Sequence, residues 1–462
     1  MRLWVDDGLR PAAVPDRRYG AITAVNWTSL VDAFDLDRFF ATFAPRVQDG
    51  GYLVLDAIDR AFDRHPKQRW RSGDWLLPEA ARRPSEYRHR FAPADVAAAA
   101  AAHGLELVAE LRREQEIPKA VYVLQRPARP AVLWVVDQPG WAHDHKARNV
   151  ARCLAGRFAS RVVYQGDLTA ADLDGADAIV VFYWRQLEGM PPLGEAWARN
   201  RHKLLMGVCS HNELEGELQE RGLAILRRLP ARVFTHSALL EAEVRPALPG
   251  TAPWCLPNGV DADFFTPRSG PRRPGPLRVG WAGSLANFGS DMRGVSTVLE
   301  PALAGLALRF PGRFELCVAA REDRLRTPAE MRAFYQDLDV YVCASRVEGT
   351  PNPALEAAAC GVPVVSTRVG NMPELLEHGV TGLLIERAPN ALGAALRLLD
   401  ERPELRLAMG RRLRQAIECG WHWRDRAEGF ARLFDDLLAN AGARAHAAGH
   451  DATREETPCA SS

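Results

Sequence analysis

The sequence predicts an α/β protein with two Rossmann-like, doubly wound domains that face each other across a cleft, preceded by a partial α/β segment. Short apolar runs alternate with helical stretches along most of the chain, which is typical of parallel sheets with crossover helices. Two Pro- and Arg-rich stretches, 126–131 and 267–276, interrupt this alternation as linkers do. The length of 462 residues also exceeds what one hydrophobic core usually holds.

Composition and charge exclude several classes of protein. The 59 basic and 58 acidic residues leave no net field that would attract nucleic acid. No apolar run approaches the roughly 20 residues that span a bilayer, and the first residues lack the apolar stretch of a secretory signal. The eight cysteines form no CxxC pair, which argues against a zinc or disulfide scaffold. We therefore expect a cytoplasmic protein without a nucleic-acid partner.

Each block of the chain has its own series of predicted strands. The first block is 1–127 and includes an Ala-rich helix at 93–103; the second is 131–266 and the third 276–440. The small, polar residues 442–462 are expected to form a disordered tail. Strands are predicted at the apolar runs 21–25, 52–56, 120–124, 132–136, 161–164, 178–183, 203–208, 232–235, 277–282, 314–318, 338–344, 362–366 and 383–385.

A strand, a loop and a helix in the third block point to a ligand site. LDVYVCAS is an apolar strand, RVEGTPNP is the loop at its carboxyl end, and PALEAAACG is a helix with Pro353 suited to its start and Gly361 to its end. Glu348 should lie in the loop, and Glu356 should project from the first turns of the helix. A helix N-terminus attracts anionic groups, and a carboxylate can accept both hydrogens of a diol. Taken alone, two glutamates eight residues apart are common, and a glutamate on a helix is more often part of a solvated face than a ligand of a substrate.

The segment 335–386 resembles the retaining glycosyltransferases of family 4, which have the GT-B fold. The resemblance rests on the Glu-x7-Glu pattern described above, on GVPVV at 361–365, and on GNMPE at 370–374, where Asn371 stands in place of a second glycine. It covers roughly 132–440, strongly in the third block and loosely in the second. The order of these elements within about fifty residues is what distinguishes the pattern from an ordinary buried strand.

This resemblance implies a donor site for a nucleotide-diphospho sugar. Glu356 would bind the donor ribose, and Glu348 would contact the donor sugar as a catalytic residue. The backbone of the loop would line the sugar pocket, at Gly349, Thr350, Pro351 and Asn352.

Relatives of this kind also supply two basic groups to the diphosphate. Arg293, in MRG, stands where one of them is expected, and the alternative is an ordinary surface arginine. Gly283 follows a strand in a loop whose backbone can face phosphate. We find no first basic partner. About sixty residues separate Trp281 from Cys343, which predicts a compressed strand–helix unit between them.

His211 follows a predicted strand in GVCSHNELE, and the resemblance implies that it faces the acceptor or the reacting sugar. A histidine is a suitable hydrogen-bond partner near neutral pH. The alternative is a helix start in which Ser210 and Glu213 form a capping box, and both can hold together. Asn258 and Gly259, in PNGVD, are expected to fix a turn rather than to bind substrate.

Two further patterns have ordinary explanations that we favour. His143, Asp144 and His145 lie in a predicted loop at 138–146, where a single loop offers poor tetrahedral geometry, so no metal is expected. Four arginines near the following helix could dock on an anionic membrane, but they also suit the solvated face of a Rossmann helix. They are Arg148, Arg152, Arg157 and Arg161.

The first block resembles the rear part of a class I methyltransferase dependent on S-adenosylmethionine. The resemblance rests on PRVQDGGYLVLD and on FAPADVAAAAAAHGLELV, at the places of that family's later strands and helix. Those proteins grip the cofactor with an early glycine-rich loop, which this block lacks. The resemblance therefore implies a degenerate, non-catalytic module.

Together these patterns predict a retaining, metal-independent hexosyltransferase that needs no cofactor. The donor is expected to be UDP- or GDP-linked, and the acceptor a hydroxyl of a glycan, a lipid-linked molecule or a small molecule. Two alternatives remain: a bifunctional methyltransferase–glycosyltransferase and a catalytically silent GT-B scaffold.

Overall fold

The computed structural model describes residues 17–24, 34–60, 70, 74–83, 89–113, 119–190, 193–248, 250, 252–270, 274–286 and 291–452. The chain forms two compact units, Met1–Arg129 and Pro130–Ser462. Within the described ranges, no helix combines the length and apolar character needed to cross a membrane.

The first unit is a mixed sheet with helices packed on it. Its strands run in the order β1-β2-β5-β4, with β3 paired to β2; β2 is parallel to β1 but antiparallel to β5. Phe39 and Phe40 are fully buried, because they lie on the face of helix α1 that packs into the core of this unit. The elements are β1 (Tyr19–Ala24), α1 (Leu36–Phe43), β2 (Val47–Asp59), β3 (Arg90–Phe91), α2 (Pro93–Ala102), β4 (Glu106–Arg113) and β5 (Lys119–Gln125). The resemblance to methyltransferases stays a prediction.

The second unit contains two parallel sheets. The first has six strands in the order β11-β10-β9-β8-β6-β7, and the second has five in the order β13-β12-β14-β15-β16. Strands such as β8 and β9 are buried along their whole length, as expected when helices cover both faces. The strands are β6 (Ala131–Val136), β7 (Ala159–Tyr164), β8 (Ala178–Val181), β9 (Leu204–Val208), β10 (Arg232–Thr235), β11 (Trp254–Cys255), β12 (Leu277–Gly283), β13 (Phe314–Ala320), β14 (Val340–Cys343), β15 (Val364–Ser366) and β16 (Gly382–Leu384).

Crossover helices connect these strands, so the predicted α/β class with two Rossmann-like domains is confirmed. Between β12 and β14, the described residues form one strand with an α-helix on either side, the first of which follows a π-helical turn at Val295–Leu299. The helices are α3 (Ala142–Cys153), α4 (Ala170–Asp174), α5 (Gly194–Asn200), α6 (Glu217–Arg228), α7 (Ala238–Val244), α8 (Glu300–Arg309), α9 (Pro328–Gln336), α10 (Asn352–Ala359), α11 (Met372–Leu375), α12 (Pro389–Glu401), α13 (Pro403–Gly420) and α14 (Trp423–Ala452).

The last helix returns to the first sheet. Phe430 and Phe434 of α14 contact the ring of Trp134 on β6, at centroid distances of 5.6 and 5.7 Å. Helix α14, which the prediction placed within the block 276–440, thus packs on the six-stranded sheet from Trp423 onward, since apolar periodicity does not tell which sheet a helix covers. This helix is described as far as Ala452. The domain bounds and the disordered tail stay predictions. Residues 453–462 of that predicted tail lie outside the described part of the chain.

Helix α3 begins earlier than its apolar pattern suggests. The predicted loop at 138–146 is helical from Ala142, so His143 and His145 lie in its first turn. The carboxylate of Asp144 accepts a hydrogen bond from the N–H of Gly140 at 2.8 Å, which stabilises this start. Leu154 and Phe158 are buried although they follow the end of the helix.

Candidate functional site

A cavity of about 740 Å³ lies between the carboxyl ends of the two sheets. Ligands in open α/β sheets bind at this edge, because the loops that follow the strands converge there. The domain of the second unit that contains the six-stranded sheet, called the first domain below, forms one wall of the cavity. On this first-domain wall, a polar residue follows the end of each of four strands by one or two positions: Asp137, Tyr183, Cys209 and His236.

Most of the predicted donor-side residues line this cavity on the opposite wall. These are Gly283, Arg293, Glu348, Gly349, Thr350, Pro351 and Asn352. Glu356 and His211 are not among the lining residues.

Arg293 and Glu348 form an ion pair in the cavity wall. Nη1 of Arg293 donates to Oε1 of Glu348, and the hydroxyl of Ser345 donates to the same oxygen at 2.8 Å. Burial alone would lower the pKa of Arg293, but the charge and hydrogen bond of Glu348 raise it. Gly294 holds this loop in place, since its φ is 74° and a Cβ there would lie 2.1 Å from the Ala344 carbonyl oxygen.

The start of helix α10 offers fewer free donors than the sequence suggested. The N–H of Asn352 bonds to the carbonyl of Thr350 at 3.0 Å, and that of Ala354 to Pro351 at 2.9 Å. Pro353 has no N–H. The N-terminus of helix α10 would therefore attract an anion in the cavity mainly through the helix dipole and less through free N–H groups. Gly361 ends the helix as predicted, with φ 76°.

Glu356 lies deeper on helix α10, beside a tyrosine that the sequence did not single out. The hydroxyl of Tyr335, which is fully buried, donates to Oε2 of Glu356 at 2.7 Å. Burial raises the pKa of Glu356 to about 7, and the Tyr335 hydrogen bond opposes that rise.

Two close contacts bring the second-domain loop against the first domain, and a third supports the loop from within the second domain. A Cβ on Gly349 would lie 1.5 Å from the carbonyl oxygen of Cys209, so only glycine fits this approach. On the other side, a Cβ on Gly370 would lie 2.4 Å from the carbonyl oxygen of Gly349. The Asn258 amide donates to Oδ1 of Asn352 at 2.9 Å. The loop is therefore held between two layers of backbone.

The implied role of His211 in the cleft is not supported by its position. Its Nδ1 pairs with the carboxylate of Glu243, on helix α7. Ser210 and Glu213 form the capping box of the alternative interpretation, and Glu213 accepts the N–H of Ser210 at 2.9 Å. His211 is not among the residues that line the cavity. Burial raises the pKa of Glu213 to about 8.

A buried lysine supports the first-domain wall. Lys146 Nζ lies 2.8 Å from Nε2 of His236 and donates to the carbonyl of Leu256 at 3.1 Å. Cys209 Sγ lies 3.1 Å from the same imidazole nitrogen. Burial lowers the pKa of Lys146 to about 7 and that of His236 well below its usual value. This cluster joins α3, β9, β10 and the chain leading to the second domain.

Asp137 and His143 form a second polar pair in this wall. His143 Nδ1 lies 3.4 Å from Asp137 Oδ1, and the ring stacks on Phe182 at 4.8 Å with an interplanar angle of 3°. The sequence placed His143 in a loop beside Asp144 and His145. In the structure, Asp144 instead pairs with Arg148 at 2.7 Å.

The four arginines considered for membrane docking are all engaged. Besides Arg148, Arg152 pairs with Asp261 at 3.1 Å, and Arg161 pairs with Asp172. Arg157 pairs with two carboxylates of helix α14, Glu428 at 3.0 Å and Asp435 at 2.7 Å. These pairs leave no unneutralised basic face there, which supports the ordinary interpretation.

Two aspartates and a histidine lie close together where the chain leaving the first domain meets the segment that leads into helix α14. The ligand atoms of Asp261, Asp263 and His422 lie within 4.8 Å of one another. His422 Nδ1 accepts the N–H of Arg424 at 3.0 Å, so its hydrogen is on Nε2, 3.2 Å from Asp263. Neither nitrogen of the imidazole then has a lone pair free for a metal ion. The neighbouring Gly259, expected to fix a turn, allows the backbones to cross: a Cβ would lie 2.8 Å from Trp423 Cα.

Solved structures share this architecture. Sucrose-phosphate synthase from Thermosynechococcus elongatus matches with a TM-score of 0.53 and 16% identity, over 68% of this chain and 100% of that chain. Anabaena HepE in complex with UDP-glucose matches with a TM-score of 0.51 and 15% identity, over 66% and 99%. Over about two thirds of its length, the chain therefore has the GT-B fold.

Sequence similarity is narrower. Residues 319–401 match the family model described as glycosyl transferases group 1. The D-inositol 3-phosphate glycosyltransferase of Corynebacterium glutamicum is 35% identical over 118 residues, 25% of this chain and 28% of that protein. The N-acetyl-alpha-D-glucosaminyl L-malate synthase of Bacillus anthracis is 40% identical over 81 residues, 17% and 21%. The matched parts thus span less than a third of these relatives.

The similar segment and the cavity overlap only in part. Residues 319–401 include Glu348 and Glu356 but not Arg293 or any residue of the first-domain wall. Two residues of the first-domain wall were not predicted from the sequence. Lys146 belongs to no recognisable motif, whereas a search for polar residues directly after strands would have found His236.

Proposed function

We propose that this chain transfers a glycosyl group from a nucleotide-diphospho sugar to a hydroxyl acceptor in the cavity between the two parallel sheets. One observation carries the proposal: Arg293, Glu348 and the loop 349–352 share one wall of that cavity, and most of this wall lies in the segment similar to glycosyl transferases group 1. The opposite wall has hydrogen-bonding groups suited to a polyol acceptor.

The chemistry of the donor half suits a diphosphate attached to a sugar. The contact of Arg293 with Glu348 uses one of the five N–H donors of the guanidinium, so others remain to bind phosphate oxygens. Glu348 can then accept hydroxyl groups of the sugar. The resemblance to family 4 assigns the hydroxyls of the ribose to Glu356, which is not among the lining residues. Charge stabilisation of the leaving diphosphate would supply much of the rate acceleration.

Retention, metal independence and the UDP- or GDP-linked donor are finer parts of the same proposal. Retention rests on the resemblance to family 4. Metal independence is supported by Arg293, a basic side chain on the donor-side wall of the cavity that can neutralise part of the charge of the diphosphate. A UDP-linked hexose is the first donor to test because HepE, of the same fold, is described with UDP-glucose. Proton NMR of the first-formed product and insensitivity to EDTA test the other two parts.

A thermal-shift screen tests the proposal directly. UDP, GDP, ADP and their glucose conjugates are each added to the full chain, and a ligand at 100 times its Kd should stabilise the fold by about 2.7 kcal/mol. Binding should be followed by release of nucleoside diphosphate, with D-inositol 3-phosphate, L-malate and water as trial acceptors. Glu348→Ala should abolish turnover. A chain that no nucleotide stabilises would refute the proposal, and binding without turnover would favour the silent scaffold.

A further inference from the structure

A carboxylate of the second domain contacts the start of a helix in the first domain. Oε1 of Glu374 accepts the N–H of Ala238 at 2.8 Å. Ala238 is the first residue of helix α7, and the first N–H groups of a helix have no partner within that helix. A carboxylate at this position also interacts favourably with the positive end of the helix dipole. Glu374 therefore completes the N-terminal cap of a helix that belongs to the other domain.

The capped segment leads directly out of the first-domain wall. His236 lines the cavity, and the buried Ser237 connects it to Ala238 and helix α7. The carbonyl oxygen of His236 lies 3.4 Å from the hydroxyl of Thr350, which belongs to the donor-side loop 349–352. The segment 236–238 thus meets the second domain at two points, the hydroxyl of Thr350 and the carboxylate of Glu374.

Glu374 is also tied to the donor-side loop from within the second domain. It follows Gly370 by four residues, and a Cβ on Gly370 would lie 2.4 Å from the carbonyl oxygen of Gly349. Helix α11, which contains Glu374, is anchored by Met372 and Leu375, both buried in the second-domain core. Because closely packed interiors transmit displacements, a shift of the donor-side loop would move Glu374 as well.

We propose that Glu374 is a positioning residue that couples the donor-side loop 349–352 to the first-domain segment 236–238. The inference rests on the proposed function. Glu374 does not line the cavity, so it acts through the position of His236 rather than on the substrate. Loss of the contact should leave donor binding intact, because the donor-side wall lies in the second domain. It should slow transfer, because the opposite wall would no longer be held at the right distance.

Amide hydrogen exchange of the full chain measures the contact without relying on turnover. In the wild-type chain the amide of Ala238 should be protected, and whichever of UDP, GDP and ADP stabilises the chain should protect it further. Glu374→Ala should speed exchange of this amide at least about 10-fold, as expected for loss of a hydrogen bond to a charged group, and should remove the nucleotide effect. Glu374→Gln keeps an oxygen that accepts a hydrogen bond, so it should retain most of the protection.

Steady-state kinetics with whichever of UDP-, GDP- and ADP-glucose the chain hydrolyses measure the effect on the reaction. A misplacement of about 1 Å can cost about 100-fold in rate, so Glu374→Ala should lower kcat at least about 10-fold. The KM for the donor and the thermal shift by the nucleotide should stay unchanged, and Glu374→Gln should regain most of the activity. Glu377→Ala is the matched control, because Glu377 is exposed and, in the described part of the chain, is hydrogen-bonded only through its backbone.

The outcomes separate this inference from the proposed function. An unprotected Ala238 amide in the wild-type chain, or wild-type exchange and kcat in Glu374→Ala, would overturn the role of Glu374, while turnover by the wild-type chain upholds glycosyl transfer. A lost nucleotide shift in Glu374→Ala that Glu374→Gln does not restore would overturn it too, since a positioning role leaves donor binding intact. Absence of nucleotide binding and turnover in the wild-type chain would overturn both.

Discussion

Replacing Gly349 by alanine is expected to separate the two walls of the cavity. The added Cβ would lie 1.5 Å from the Cys209 carbonyl oxygen, whereas a Cβ in real proteins keeps about 3.0 Å from such an atom. The conflict is between two backbones, so no side-chain rotation relieves it. Gly370 packs against the other side of the loop, so the loop cannot simply retreat.

The distances give the size of the effect. Restoring 3.0 Å from 1.5 Å requires a displacement of at least about 1.5 Å between Gly349 and Cys209. A misplacement of about 1 Å can cost about 100-fold in rate, so kcat/KM for the donor should fall at least about 100-fold. Overpacking costs typically about 1–3 kcal/mol of stability, and opening of the cleft would reduce that cost.

Steady-state release of nucleoside diphosphate and thermal unfolding measure the two effects in Gly349→Ala. Gly305→Ala is the control, because Gly305 is exposed in helix α8 and a Cβ there meets nothing within 4 Å. The control should keep wild-type kcat/KM and gain about 0.5–1 kcal/mol. Wild-type kcat/KM and melting temperature in Gly349→Ala would show that the working enzyme does not make this contact.

Three other changes have defined outcomes. Arg293→Ala should weaken nucleoside diphosphate binding at least about 10-fold by calorimetry, and it should lower Tm because Glu348 is left as an unpaired buried charge. The double variant with Glu348→Ala should regain Tm but not binding, because it removes that charge. An equal loss of Tm in both variants would contradict this. In the wild-type chain, the hydrogen bond from Tyr335 opposes the rise in the pKa of Glu356. Tyr335→Phe removes this bond, so the pKa of Glu356 should rise further and the pH dependence of nucleotide affinity should move to higher pH. An unchanged pH profile would contradict this role of Tyr335. The pKa of Glu213 is raised from 4.5 to about 8, so the folded state binds the extra proton and stability falls as pH rises from about 4.5 to 8. This slope of stability against pH is at most about 1.4 kcal/mol per pH unit. Glu213→Gln should flatten it in urea unfolding measured between pH 4.5 and 8. An unchanged slope would show that a group other than Glu213 binds the extra proton.

The wall of the cavity that contains Glu348 could be predicted from the sequence because its signals are local. An apolar strand, a loop and a helix bounded by Pro353 and Gly361 follow one another without a break, and the side chains of Glu348 and Asn352 belong to that run. The placement of Arg293 was also anticipated, although its ion pair with Glu348 depends on Gly294 packing under strand β14.

The acceptor half was not readable in the same way because its contacts span long sequence distances. Lys146, on helix α3, and His236, directly after β10, are 90 residues apart in the sequence, yet their side chains meet. His143 was assigned to a loop because the apolar spacing of α3 begins only at Ala147, one turn after the helix starts. His211 stood in the expected position, yet its cap turns the ring to Glu243.

The return of helix α14 to the first sheet has a consequence for how the protein is made. Strand β6 leaves the ribosome hundreds of residues before Phe430 and Phe434, so the part of the Trp134 ring that these two residues contact stays uncovered while the second domain is being synthesised. An apolar sheet face exposed for that time favours aggregation, and chains of this kind depend on chaperones or on rapid elongation. Substitutions at Phe430 or Phe434 should therefore reduce the yield of soluble protein more than they reduce the activity of molecules that have folded.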